Sequence, residues 1–166
     1  MTQNASDSKP RIQEPRKFFI IYKRDTALDL AEHVHDGLHE RGVDVFLDTK
    51  DLKEGLSQTP EWRKQRDLAI ENAQVFIFIV THSASTSDEI KHELKTARAG
   101  SGKDIKAFID THIWNVDEEL TIDLDGESVN IQSFQVRRFD TKEALLREVI
   151  DSASITRVIK PNQTAE

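Results

Sequence analysis

The sequence predicts an α/β domain built on a five-stranded parallel sheet with helices on both faces. Three observations lead there. Short apolar runs at residues 18–22, 43–48, 75–80, 105–109 and 136–139 read as strands. Segments with helical spacing of apolar residues separate most of these runs. The central run, Val75 to Val80, is β-branched and aromatic without a polar break, as in a strand buried on both faces. Strands alternating with helices imply parallel pairing and right-handed crossovers.

The elements follow in order. After the first strand, Asp25 and Thr26 offer an N-cap. Ala27, Leu30, Ala31, Val34 and Leu38 follow at helical spacing, and Gly42 can end the helix. Residues 49–59 form a charged loop containing Gly55. Thr59 and Pro60 then make an N-cap and N1 pair, opening a helix to about Asn72. Its apolar positions are Trp62, Leu68, Ala69, Ile70 and Ala73. Thr86 and Glu89 have capping-box spacing and start a helix with Ile90, Leu94 and Ala97 on its core face. Gly100 and Gly102 end it. Asp140 with Glu143 caps a last helix carrying Ala144, Leu145, Val149 and Ile150. Residues 111–133 break the alternation. Ile122, Leu124, Val129 and Ile131, arranged around Asp125-Gly126, predict a β-hairpin where a simple domain would have a helix.

A chain of 166 residues fits one domain. The expected limits are 17–158, between a flexible polar lead-in at 1–16 and a flexible tail at 159–166. With no cysteine, a disulfide framework, a thiol nucleophile and a Cys-ligated zinc site are excluded. Absence of cysteine fits a reducing compartment, and a cytoplasmic protein is expected. A net charge of −7 disfavours nucleic acid and anionic membrane as partners. The longest apolar run falls far short of the roughly 20 residues of a membrane span. The first residues lack the apolar core of a signal peptide.

Open parallel sheets bind ligands at the carboxyl ends of their strands. Those ends carry Tyr22-Lys23-Arg24, Asp48, Thr81-His82-Ser83 and Asp110-Thr111-His112. Lys23 and Arg24 place two cations beside an aromatic ring near a helix N-terminus, which suits a phosphate or pyrophosphate. Two ordinary solvated charges are the alternative. Glu93 lies at i+3 from Ile90 and i−4 from Ala97, on the flank of the apolar stripe. Partial burial there would raise its pKa; a rim glutamate paired with lysine is the plain alternative. Glu89 shares that flank one turn earlier. His35 and His39 have i, i+4 spacing but no third ligand, so no metal is expected. In Asp123 to Glu127 the glycine comes two places too early for a calcium loop. Neither Gly-x-Gly-x-x-Gly nor a Walker A motif is present.

Taken together, these segments resemble a TIR (Toll/interleukin-1 receptor) domain. Phe19-Ile20-Ile21-Tyr22-Lys23-Arg24-Asp25 is similar to the family's first box, and Val45-Phe46-Leu47-Asp48 with the loop to Gly55 to its second strand and BB loop. Ser87-Asp88-Glu89-Ile90-Lys91-His92-Glu93-Leu94 resembles the box Ser-x-Trp-Cys-x-x-Glu-Leu, with Glu89 in place of Trp and Ile90 in place of Cys. The resemblance implies a flavodoxin-like fold. Many members cleave NAD+ at the nicotinamide–ribose bond when assembled, in signalling or defence. By position Glu93 would be the catalytic glutamate. Tyr22, Lys23 and Arg24 would hold ribose and phosphates, with Phe46, Asp48, Ser83 and Glu89 completing the substrate pocket. Asp51, Leu52 and Gly55 in the BB loop would bridge copies in a homo-oligomer or filament. NAD+ is then the substrate, and no cofactor is expected. Two other readings stay open: a non-catalytic scaffold acting through TIR–TIR contacts, and a hydrolase like the nucleoside deoxyribosyltransferases. A phosphoacceptor receiver domain is set aside, because Lys23-Arg24 and Thr81-His82-Ser83 stand where its acidic residues belong.

Overall fold

The computed structural model describes residues 16–52, 59–113 and 120–155. Strands β1 (Lys17–Ile21), β2 (Asp44–Phe46), β3 (Val75–Val80), β4 (Asp104–Asp110) and β7 (Gln135–Phe139) form one sheet. Its order is β2-β1-β3-β4-β7, and every pairing is parallel. This is the doubly wound, flavodoxin-like order. The helices are α1 (Arg24–Glu40), α2 (Asp48–Asp51), α3 (Pro60–Asn72), α4 (Asp88–Ala99) and α5 (Lys142–Ser152). Among the described residues no helix is long and apolar enough to cross a membrane.

Strand periodicity divides the core in two. Phe18, Ile20, Ile77, Ile79 and Phe108 point to the side covered by α1 and α5. Phe19, Ile21, Phe76, Phe78 and Ile109 point to the side covered by α3 and α4. Every residue of β3 is buried, as its unbroken apolar run requires. The small stripe of α1 lets α5 approach closely; a Cβ at Gly37 would overlap the end of Leu146. Gly42, at φ 77°, closes α1 as predicted. Its N–H reaches His39 O (3.0 Å) and the Val43 N–H reaches Leu38 O (3.1 Å), the paired bonds of a Schellman ending.

The predicted hairpin is present as β5 (Thr121–Leu124) and β6 (Glu127–Asn130), paired antiparallel. Asp125 (φ 55°) and Gly126 (φ 84°) make the turn, both in the left-handed region a tight hairpin demands. Leu120, Ile122, Leu124, Val129 and Ile131 join the core beside α4. Asp125 pairs with Lys95 (2.9 Å) and Glu127 with Arg98 (3.6 Å), both on α4. The hairpin thus covers the sheet face that a crossover helix would otherwise cover.

Several predicted starts differ from those observed. The N-cap of α1 is Lys23, without a side-chain cap. The Thr26 hydroxyl instead lies 2.8 Å from that of Thr81, so a tertiary partner replaces the local one. Ser87, not Thr86, caps α4 by accepting from the Ile90 N–H (3.3 Å). Thr86 sits in a 3-10 turn (Ala84–Thr86) and donates to Ser83 O (2.8 Å). Thr141, not Asp140, caps α5, because its hydroxyl reaches the Ala144 N–H (3.1 Å). Thr59 caps α3 as expected, accepting from the Trp62 N–H (3.2 Å). β2 is shorter than 43–48, and Asp48 opens α2 instead of extending the strand. Leu68 is 56% exposed, because the buried stripe of α3 runs through Trp62, Arg66 and Ile70.

Candidate functional site

A cleft of about 230 Å³ opens at the carboxyl ends of β1 and β2, walled by α3 and α4. From β1 the chain goes to β2 on one side and then crosses back to β3 on the other, and ligands bind at the crevice where the winding reverses. Tyr22, Lys23, Arg24, Asp48, Glu89 and Glu93 all line it. Six of the residues singled out in the sequence are therefore brought together.

Asp48 organises one wall. The Tyr22 hydroxyl donates to its Oδ1 (2.6 Å), Arg24 donates to its Oδ2 (2.8 Å), and the Thr49 N–H adds a bond of 2.7 Å. Burial, and then the Asp48 carboxylate, push the Tyr22 phenol above its ordinary value, so it remains a neutral donor. Lys23 pairs with Asp25 at 3.1 Å. The two cations expected to wait for a phosphate each already hold a carboxylate.

Glu93 forms the other wall. It is only 8% exposed, on the flank of the Ile90, Leu94 and Ala97 stripe of α4. The rim glutamate paired with lysine is not what the fold builds. Burial raises its pKa well above the usual carboxylate range. The Arg66 guanidinium opposes that rise, and the charges of Asp48, Glu89 and Asp67 add to it.

Arg66 is the residue that sequence reasoning missed. It is 2% exposed. It donates through Nη1 to Glu89 and through Nε to Asp67 (3.1 Å), and lies over the Trp62 ring at 5.2 Å. The His92 Nε2 sits 2.9 Å from Asp67 on the outer side. One buried guanidinium thus bonds two carboxylates, Glu89 and Asp67, and its charge reaches a third, Glu93. A signal existed: Trp62, Arg66 and Ile70 recur every four residues, which puts Arg66 on the buried stripe. Trp62 also lines the cleft, supplying an aromatic wall although Glu89 stands at the Trp position of the box.

The remaining candidates lie elsewhere. Phe46 stacks on Phe19 (5.0 Å between centroids, 11° between planes), and Phe19 in turn lines the cleft. Ser83 follows β3 in a left-handed conformation (φ 64°) and does not line this cleft. Asp51 turns back to accept from the Leu47 N–H (2.7 Å), and Leu52 is buried. Gly55 lies outside the described residues. His35 and His39 stack at 5.8 Å, and among the described residues no group of metal-ligating side chains assembles.

A profile of the TIR domain matches residues 18–150. No curated protein matches in sequence. Among solved structures, the chain is similar to a 2-deoxyribosyltransferase from the psychrotolerant bacterium Bacillus psychrosaccharolyticus. That likeness has a TM-score of 0.53 at 16% identity, over 86% of this chain and 98% of that one. It is similar also to a 2-deoxyribosyltransferase from Leishmania mexicana, with a TM-score of 0.52 at 18% identity, over 82% of this chain and 98% of that one. At such identities the likeness is one of fold. The profile match runs from β1 into α5 and takes in the whole parallel sheet; the chain belongs to the TIR domain family.

Proposed function

We propose that the cleft cleaves the nicotinamide–ribose bond of NAD+, with Glu93 as the catalytic carboxylate. The observation that carries this reading is a buried carboxylate at the switch-point crevice, beside a guanidinium hydrogen-bonded to other groups. Breaking the bond sends its electron pair to the nicotinamide ring nitrogen and leaves positive charge on the ribose. An ionised carboxylate in a pocket of low dielectric stabilises that charge and accepts hydrogen bonds from the ribose hydroxyls. Water then adds its oxygen to the ribose carbon and releases a proton. The substrate ring is itself cationic. The carboxylates of Glu89 and Asp48 in the lining suit it, and give Glu89 a purpose at a position where the family box has Trp. The Tyr22 hydroxyl, whose proton goes to Asp48, presents an acceptor oxygen to a sugar hydroxyl, and Lys23 and Arg24 stand at the rim for the phosphates.

The segment around Asp51, Leu52 and Gly55 bridges copies in this reading, so specific activity rises with protein concentration. The test is nicotinamide release from NAD+ by concentrated protein, comparing wild type with Glu93→Gln. No release by wild type under assembling conditions sinks the proposal and leaves the scaffold reading. A second reading is hydrolysis of free nucleosides. It is favoured by a cleft sized for one nucleoside and by the names of the two similar structures. Assaying inosine and deoxyinosine beside NAD+ separates the two.

A further inference from the structure

We propose that a second cleft, across the N-terminus of α1, is a nucleoside subsite for the distal ribose of a dinucleotide whose reacting ribose lies beside Glu93. This rests on the reading above. The second cleft has a volume of about 400 Å³ and is lined by Thr26, Thr81, His82, Asp110, His112 and Ile113. Thr81 follows β3 and Asp110 ends β4, so it opens on the same carboxyl edge of the sheet as the first. Consecutive residues join the two: Asp25 lines the first cleft and Thr26 the second. At about 230 Å³, the first is smaller than the ~300–1,000 Å³ of pockets that bury a whole ligand of drug size. A dinucleotide must extend out of it, and the first turn of α1 lies along the way, where phosphates are well placed.

The chemistry of the second cleft suits sugar hydroxyls. Asp110 Oδ1 accepts the His112 backbone N–H (2.9 Å) and its Nδ1–H (2.7 Å). A carboxylate can only accept, so His112 Nδ1 carries the proton of this bond, and Nε2 is the ring nitrogen left to meet a ligand. Asp110 Oδ2 is a second acceptor. The Thr26 and Thr81 hydroxyls, 2.8 Å apart, can donate or accept. Adjacent acceptors of this kind match a ribose diol, as an acidic residue does in dinucleotide-binding folds. Ile113 adds an apolar contact for the base. A carboxylate in the lining argues against a phosphate here.

The probes are ADP-ribose and adenosine, titrated calorimetrically into wild type, His112→Ala, Asp110→Asn and, as a control, His33→Ala; His33 lies on α1 and lines neither cleft. His112 is mostly exposed, so its loss leaves the fold intact. The expected result is a Kd for ADP-ribose at least about 10-fold weaker in His112→Ala and Asp110→Asn, and unchanged in His33→Ala. In wild type the His112 ring resonances shift with either probe. An ADP-ribose Kd indifferent to both substitutions, or no binding to wild type, overturns the subsite. The two proposals fail separately. Binding through His112 without nicotinamide release keeps the subsite and removes the reaction. Release with an unmoved Kd does the reverse.

Discussion

The Arg66 charge opposes the rise in the Glu93 pKa, yet its hydrogen bonds go to Glu89 and Asp67. The guanidinium is held in place by partners other than the carboxylate it acts on. Glu93 therefore feels the Arg66 charge without a hydrogen bond to it, against the opposing charges of Asp48, Glu89 and Asp67. Burial still wins, because the net shift of Glu93 is upward.

The direction of that shift sets a pH profile. The ionised form of Glu93 is the active one, so kcat/KM for NAD+ rises as pH climbs through the raised pKa. The limb should lie above the ordinary glutamate value of about 4.3. Glu93→Gln should lose about 10²–10⁴-fold in rate, the size of a charge-stabilising or acid–base contribution. A limb at the ordinary carboxylate value would contradict the assignment.

Stability should move the other way. A group whose pKa is higher folded than unfolded stabilises most below the unfolded value, and that stability is lost as pH rises through the folded one. Glu93→Gln has no charge to bury, so it should melt higher than wild type, and by more at pH 8 than at pH 5. Each ~1 kcal/mol recovered raises Tm by about 2–4 °C in a domain of this size. Parallel thermal melts at the two pH values check it; an equal or lower Tm at pH 8 counts against buried ionisation.

Removing Arg66 is expected to be costly. Arg66→Met leaves Glu89, Asp67 and Glu93 clustered without their shared cation; because Glu89 and Asp67 are 39% and 40% exposed, the cost should fall at or below the lower end of the about 3–5 kcal/mol for breaking a buried pair. Glu89→Gln in the same chain should recover part of it, with a coupling of about 0.5–3 kcal/mol. Urea unfolding of the four chains of this cycle measures both terms. Additive effects would mean that the Arg66–Glu89 contact carries no energy.

Tyr22→Phe removes one donor from Asp48 but leaves Arg24 and the Thr49 N–H. Hydrogen bonds to charged groups contribute about 1.5–3 kcal/mol. The remaining partners hold the cost near the lower figure. Chemical denaturation checks this, and a loss above about 3 kcal/mol would show that Tyr22 supports more than Asp48.

The sheet was legible because unbroken apolar runs leave a strand only one buried arrangement, and the hairpin because Asp125-Gly126 favours one turn. Cleft residues at strand ends, such as Tyr22 and Asp48, were legible for the same topological reason. Local caps were less so. Thr26 and Thr86 each had a plausible capping role, but Thr81 and Ser83 offered better partners in three dimensions. Arg66 was hidden by its type: a charged residue on an apolar stripe reads as an exception until the carboxylates that surround it are brought together by folding. The pairing of Arg24 with Asp48 was hidden likewise, since the two lie 24 residues apart.

The hairpin should matter to the site although it touches no ligand. Ile122 is fully buried and packs in the core that seats α4, the helix carrying Glu93. Ile122→Ala leaves a cavity there and should cost about 2–5 kcal/mol. Gly126→Ala tests the turn alone. Nothing lies within 4 Å of the added Cβ, so its cost is the strain of φ 84° in a residue with a side chain, about 1–2 kcal/mol. If the hairpin holds α4 in place, hydrogen exchange at Ile90 to Leu94 should quicken in Ile122→Ala and less in Gly126→Ala, and nicotinamide release should fall in the same order. Faster exchange confined to residues 121–130, with α4 unaffected, would show that the hairpin is a cover and not a support.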